Sequence, residues 1–148
     1  MLALELEKSR VKAFMNILLR GSVFEGFDVL KIEISAANLI TIDGATEGDD
    51  GSAYYSSWSN LRPLVYEIIK FCSKPKFVKI TFLYRDTATF HENARALTVN
   101  LTYENDNVYF TTSTTPREFT MDKTMERDWD TWVREYLAKT GYQVSDRT

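Results

Sequence analysis

Two groups of basic side chains recur at the spacing that places residues on one face of a helix. In the first helical pattern, Lys8, Lys12 and Arg20 fall on a four-residue repeat that contains no acidic side chain. Such a face suits the phosphates of a nucleic-acid backbone, because lysine and arginine displace the counterions condensed there. The alternative interpretation is an ordinary solvated helix face. The second group lies in the central helical pattern and comprises Arg62, Lys70 and Lys74.

Aromatic side chains form a second type of candidate site. Trp129, Trp132 and Tyr136 lie on one side of the last helical pattern. They either dock this helix on the rest of the fold or form an exposed patch for a protein partner or a second copy of the chain. Tyr66, on the outward side of the central helix, is a further candidate for a partner contact.

The residue types that catalysis and metal binding require are not grouped in this sequence. His91 is the only histidine, and it lies with Glu92 in a polar stretch that supplies no third partner. Cys72 is the only cysteine and falls on an apolar helix face. Residues 43–51 place acids among glycines, but their spacing differs from that of a calcium-binding loop. The sequence therefore predicts no catalytic residues, no metal site, no cofactor and no enzymatic activity.

Composition places the chain among ordinary globular domains. Its 148 residues are 44% hydrophobic and 14% aromatic, which is enough for one domain with its own core. The formal net charge of -3 lowers the expectation of nucleic-acid binding by the whole surface. The first residues lack the apolar stretch of a secretory signal, and a single cysteine fits a reducing compartment. We therefore expect a cytoplasmic protein without a membrane partner.

The first part of the chain predicts the order strand–helix–strand–strand. Ser9 is the expected N-cap of the helix, and Gly21 is placed to end it in the left-handed conformation. The predicted bounds are a strand at 2–6, a helix at 9–20, strands at 29–35 and 38–43, and a loop at 44–52.

The second part repeats that order, adds a strand and ends in a third helix. Asn60 is the expected N-cap of the central helix, which puts Pro63 at its third position, where a missing N–H costs nothing. Leu64 is expected on the buried face of this helix. The predicted bounds are a short strand at 53–57, a helix at 60–72, strands at 76–84, 96–104, 108–114 and 117–121, a turn at 105–107, a helix at 124–140 and a frayed tail at 143–148.

These elements predict an α+β fold with an antiparallel sheet from two βαββ-type units and two helices on one face. The third helix is expected to close the other face or an edge. This order of elements resembles a single domain of the DNA sliding clamps. The segments that carry the resemblance are LALEL, SRVKAFMNILLR, VLKIEIS, NLITID and NLRPLVYEIIKFC. The resemblance covers about residues 1–121 and implies a clamp-like core there whose helices face DNA. The C-terminal helix and tail at 122–148 have no counterpart in the clamp unit, and the length of the chain predicts one domain over residues 1–148. The segments MLALEL and YYSSWSNLRP also resemble a small bacterial family of unknown function.

Three functions follow as hypotheses. The leading one is a non-enzymatic binding or scaffold module that acts through protein contacts, either with an unknown partner or by self-association. The second is a clamp-like module whose basic helix faces contact a nucleic-acid backbone. An enzyme of unrecognised type is the third, and no set of acid, base and nucleophile supports it.

Overall fold

The computed structural model describes residues 1–47, 51 and 53–147. In chain order, these residues form nine strands and four α-helices. The bounds are β1 (Ala3–Leu6), α1 (Val11–Arg20), β2 (Phe27–Ser35), β3 (Leu39–Asp43), β4 (Ala45–Glu47), β5 (Ala53–Tyr55), α2 (Trp58–Cys72), β6 (Phe77–Tyr84), α3 (Thr87–Phe90), β7 (Ala94–Glu104), β8 (Asn107–Pro116), α4 (Thr124–Lys139) and β9 (Val144–Asp146).

Seven strands form one sheet in the order β3-β2-β6-β7-β8-β1-β9. Every neighbouring pair in this sheet is antiparallel. Strands β4 and β5 pair separately as a two-stranded antiparallel sheet. The α+β class and the antiparallel sheet are therefore confirmed.

Helices α1 and α2 lie on the same face of the sheet. The ring of Phe14 in α1 packs edge-on against Phe110 in β8, with 5.6 Å between centroids. In α2, Trp58 packs against Phe82 in β6 at 5.4 Å. In the strand register, Phe82 is opposite Val99, and Val99 is opposite Thr112. Phe110 lies two residues from Thr112 on β8, so its side chain is on the same face as that of Phe82.

Helix α4 packs on that same face, which corrects the expectation that it closes the other face or an edge. Trp129 contacts the ring of Tyr84, two residues beyond Phe82 on β6, at 5.5 Å. Asp130 accepts a hydrogen bond of 2.5 Å from the hydroxyl of Thr112. Residues of α1, α2 and α4 consequently belong to one buried hydrophobic cluster. The reason is the strand pattern, since only one face of β6, β7 and β8 is continuously apolar.

The opposite face of the sheet carries mainly polar side chains. Thr81 donates to the amide oxygen of Asn100 across β6 and β7 at 2.8 Å. This face also contains a shallow cavity of about 650 Å³. Its central strands contribute the polar side chains Thr81, Thr98, Asn100, Ser113 and Thr115.

The start and end of α1 differ from the predicted ones. A short 3-10 turn, Lys8–Arg10, precedes the helix, and the hydroxyl of Ser9 donates to Glu7 at 3.1 Å instead of capping it. Gly21 is not left-handed, because its φ is -105°. A Cβ at this position would lie 2.6 Å from the carbonyl oxygen of Ile17, so the absence of a side chain lets the chain leave the helix there.

The N-cap of helix α2 lies three residues earlier than predicted. Its N-cap is Ser57, whose hydroxyl accepts a hydrogen bond from the N–H of Asn60 at 3.2 Å. The prediction of Asn60 as the cap is wrong, and Pro63 therefore lies inside the helix rather than in its first turn. A proline there removes one backbone hydrogen bond within the helix.

Two further segments were predicted incorrectly. The tail is not frayed, because β9 pairs with β1 and places Val144 opposite Leu6. Residues 45–47, expected to be loop, form β4, while positions 48–50 and 52 of the predicted loop lie outside the described residues. Residues 117–121 contain no strand. Residue 148 also lies outside the described part of the chain.

Candidate functional site

Helices α1 and α2 are antiparallel neighbours that are linked at one end. The guanidinium of Arg62 in α2 donates hydrogen bonds to the carbonyl oxygen of Gly21, at the end of α1, and to the carboxylate of Glu25 at 3.3 Å. Beside this contact, the guanidinium of Arg20 lies over the ring of Tyr66, 5.9 Å from its centroid. These contacts hold the C-terminal end of α1 against α2.

At the opposite end of the helix pair, a groove of about 520 Å³ separates the two helices. The face of α1 that contains Val11, Met15 and Leu19 forms one wall, and the last turn of α2 forms the other. The floor extends down to Val78 of β6, which is fully buried. Most of the lining is apolar, and its helical part consists of Val11, Met15, Leu19 and Ile69.

Charged side chains surround this apolar floor. Lys8 and Lys12 lie on the α1 side, and Lys74 lies just beyond the end of α2. Asp106, in the β7–β8 turn, accepts hydrogen bonds from the ammonium of Lys74 and from the hydroxyl of Tyr103, both at 3.0 Å. The rim therefore has an excess of positive charge.

The two hydrogen bonds to Asp106 change the ionisation of the groups involved. The hydrogen bond from Lys74 holds the pKa of the Asp106 carboxyl below its ordinary value. The same contact raises the pKa of Lys74, and burial raises the pKa of Tyr103. Asp106 is therefore negative and Lys74 positive throughout the neutral pH range, which leaves Lys8 and Lys12 to determine the net charge of the rim.

The six predicted basic residues lie in three different places in the structure. Lys8, Lys12 and Lys74 come together around the groove. Arg20 and Lys70 instead lie over the ring of Tyr66, and Lys70 also pairs with Glu67 at 3.7 Å. The sixth, Arg62, links the ends of the two helices.

The predicted aromatic contact residues mainly build the core. Trp129 is fully buried and its indole N–H donates to the carbonyl oxygen of Thr98 at 3.0 Å, so its proposed place in an exposed patch is wrong. Trp132 is half-buried and stacks between Trp129 and Tyr136, at 5.2 Å from each. The hydroxyl of Tyr136 accepts a hydrogen bond from the N–H of Phe24 at 2.8 Å. These partners account for the aromatic stripe as packing.

An exposed apolar edge was missed by sequence reasoning. Phe71 of α2 is 90% exposed and Leu64, predicted to be buried, is 50% exposed. The two residues are seven apart and share one flank of α2, while Arg62, Tyr66 and Ile69 face α1 on the other flank. Since α1 lies toward β8, this flank of α2 points to the sheet edge formed by β3.

Strand β3 completes this edge. It pairs with β2 alone among the described residues, so the backbone groups along its outer side face outward. Ile40 and Ile42 lie opposite the fully buried Ile34 and Ile32, on the side of the sheet that the helices cover. We call Leu39–Asp43 together with Leu64 and Phe71 the β3–α2 edge. The available sequence signal was Phe71, which falls outside the apolar stripe of its helix.

The single histidine and the single cysteine lie at the ends of different helices. The Nδ1 atom of His91 accepts a hydrogen bond from the N–H of Asn93 at 3.1 Å. Cys72 is half-buried at the end of α2. Within the described residues, no group of three metal-binding side chains occurs. None of the described helices is both long enough and apolar enough to cross a membrane.

Comparison with known families now places the chain. The model of DUF5721, a family of unknown function, matches residues 17–145. The chain belongs to this family. The match begins within α1 and ends within β9, so it contains the whole β3–α2 edge, whereas Lys8 and Lys12 precede it. No curated protein and no solved structure matches the chain. Membership of a family of unknown function is thus confirmed, and the likeness to a sliding-clamp domain remains a prediction.

Proposed function

We propose that this DUF5721 protein is a non-enzymatic binding module that acts through protein contacts, and that its contact surface is the β3–α2 edge. The observation that supports this proposal is Phe71, whose side chain is 90% exposed beside an open strand edge. Large apolar side chains grouped on a surface are typical of protein interfaces.

The open edge of β3 supports pairing with another strand. Unpaired N–H and C=O groups along an edge strand are a template for a further chain, and proteins commonly prevent such pairing with lysine or proline. The β3 sequence LITID contains neither, and its only charged residue is Asp43 at the end. This edge therefore lacks the usual protection against association.

A second copy of the chain fits this edge by symmetry. Antiparallel pairing of two β3 strands about Thr41 places Ile40 of each copy opposite Ile42 of the other, with both pairs on the helix-covered side. The same two-fold axis brings the two α2 flanks toward one another. Leu64 and Phe71 would then be removed from water, which is the main favourable contribution to such an interface.

Measurement of the mass in solution tests the proposal. We expect light scattering after size exclusion to give twice the mass of the chain, and Phe71→Glu to give the monomer, because a buried carboxylate without a partner strongly disfavours the interface. Phe119→Glu is the matched control, since Phe119 is equally exposed but lies in the connection between β8 and α4. Thr41→Pro, which removes a backbone donor from the edge, should also give the monomer.

Two results would contradict the proposed surface. One is a wild-type protein that stays monomeric at high concentration. The other is a dimer that Phe71→Glu and Phe119→Glu leave equally intact, because the association would then use a different part of the molecule.

A further inference from the structure

The groove between α1 and α2 has the dimensions of a small-molecule site. Its volume is about 520 Å³, and ligand pockets commonly measure roughly 300–1,000 Å³. The groove is lined mainly by aliphatic side chains and reaches the fully buried Val78 on the sheet. Such a floor favours an apolar body rather than a sugar or another strongly hydrated group.

The charged side chains at the mouth of the groove favour a ligand with negative charge. Neither Lys8 nor Lys12 takes part in an ion pair within the described residues. Lys74 is already paired with Asp106 at 3.0 Å. The positive charge available to a ligand is thus on the α1 side, where the N-terminal end of the helix dipole adds to it.

The α2 side of the mouth limits where the ligand can place its negative charge. Asp106 lies there. The C-terminal end of α2 lies there as well, and it carries the partial negative charge of the helix dipole. An anionic group would be repelled from this side. A carboxylate is therefore favoured at Lys8 and Lys12 instead.

We propose that this groove binds a small amphiphilic carboxylate, with the apolar body on the floor between α1 and α2 and the carboxylate at Lys8 and Lys12. A straight-chain or aromatic acid of about ten carbon atoms suits a pocket of this volume. The site is separate from the β3–α2 edge, which lies on the opposite flank of α2.

The methionine residues of the chain provide a direct test. Of the four methionines, Met15 lines the groove, and Met1, Met121 and Met125 lie outside it. Decanoate is titrated into the full chain below its micelle-forming concentration while the methionine methyl signals are followed by NMR. We expect a saturable shift of the Met15 signal and little change in the other three.

Charge and chemistry are tested with variants and related probes. Lys12→Glu should weaken decanoate binding by about tenfold, because it replaces an attraction at the carboxylate by a repulsion. Lys139→Glu, an exposed change near the end of α4, is the control and should bind as the wild type does. Decanol, which has the same chain without the charge, and inorganic phosphate, which has charge without an apolar body, should both bind more weakly.

Several outcomes would overturn this assignment. Equal shifts of all four methionine signals would indicate detergent-like binding over the surface. If Lys12→Glu and Lys139→Glu bound decanoate with equal affinity, the carboxylate would lie elsewhere. If decanol and decanoate bound to the wild type with equal affinity, the lysines would not bind the carboxylate. Lys12→Gln, which keeps the side-chain length without adding repulsion, should give an intermediate affinity and checks that the effect is one of charge.

Discussion

At the residue scale, Tyr136 shows how a candidate contact residue serves the core instead. Its hydroxyl accepts the N–H of Phe24, a fully buried residue whose φ of 65° is in the left-handed region. The ring of Phe24 stacks on Phe82 at 4.3 Å, which favours this otherwise costly backbone conformation. Burial also raises the pKa of Tyr136, so its hydroxyl stays protonated at neutral pH.

Replacement of Tyr136 by phenylalanine should therefore destabilise the fold. Tyr136→Phe leaves the N–H of Phe24 without its acceptor, which we expect to lower the free energy of unfolding by about 1 to 2 kcal/mol. Urea denaturation measures the change. Tyr54→Phe, at a side chain that is largely exposed, is the control and should leave the midpoint unchanged. If Tyr136→Phe and Tyr54→Phe had the same urea midpoint, the N–H of Phe24 would have found another hydrogen-bond acceptor.

At the element scale, α2 contains a local conflict. Its N-cap at Ser57 extends the helix so that Pro63 interrupts the backbone hydrogen bonds. The sequence pattern favours a start at Asn60, which would avoid this cost. The longer helix contains the fully buried Trp58, whose ring packs on Phe82 and stabilises the first turn against the sheet.

Removal of this proline should stabilise α2. We expect Pro63→Ala to raise the free energy of unfolding by about 1 to 2 kcal/mol, after allowance for the more flexible unfolded chain. Pro63→Gly should be about 1 kcal/mol less stable than Pro63→Ala, because glycine is the poorer helix former. Thermal unfolding of the three proteins checks this order. A lower melting temperature for Pro63→Ala would mean that the proline ring itself contributes packing.

At the scale of the whole molecule, the charge distribution bears on nucleic-acid binding. Three of the six basic residues lie around the groove, two lie at Tyr66, and Arg62 links the helix ends, so they form no continuous surface. Arg62, Lys70 and Lys74 also have acidic partners. The formal net charge is -3. Few of these six basic side chains are therefore available to bind the phosphates of a nucleic acid.

We accordingly expect weak binding of duplex DNA. Fluorescence anisotropy with a labelled duplex at low salt should show no saturable binding, since affinity for phosphates scales with the number of ion contacts made. The double variant Lys12→Glu with Lys70→Glu is the comparison. Salt-sensitive binding that this variant abolishes would support the nucleic-acid hypothesis instead.

Much of the local structure could be predicted from the sequence. The turn at Asn105 and Asp106 follows from residue types that tolerate the left-handed region, and their φ values are 53° and 61°. The last helix, predicted at 124–140, spans Thr124–Lys139 because its apolar repeat is long and regular. For the groove, the helical spacing predicted Lys8, Lys12 and Lys74 as solvent-side cations. These features depend on neighbours within a few residues.

The tertiary structure decided the features that depend on distant partners. The strand β9 forms because β1, at the other end of the chain, offers it an edge, and no local pattern in VSD predicts that. The common face of α1, α2 and α4 results from the single apolar face of the sheet, which becomes apparent only when its strand order is known. The same holds for the sites: helix periodicity determined which side chains point outward, but the distance between two helices and the position of a sheet edge are set by long-range packing.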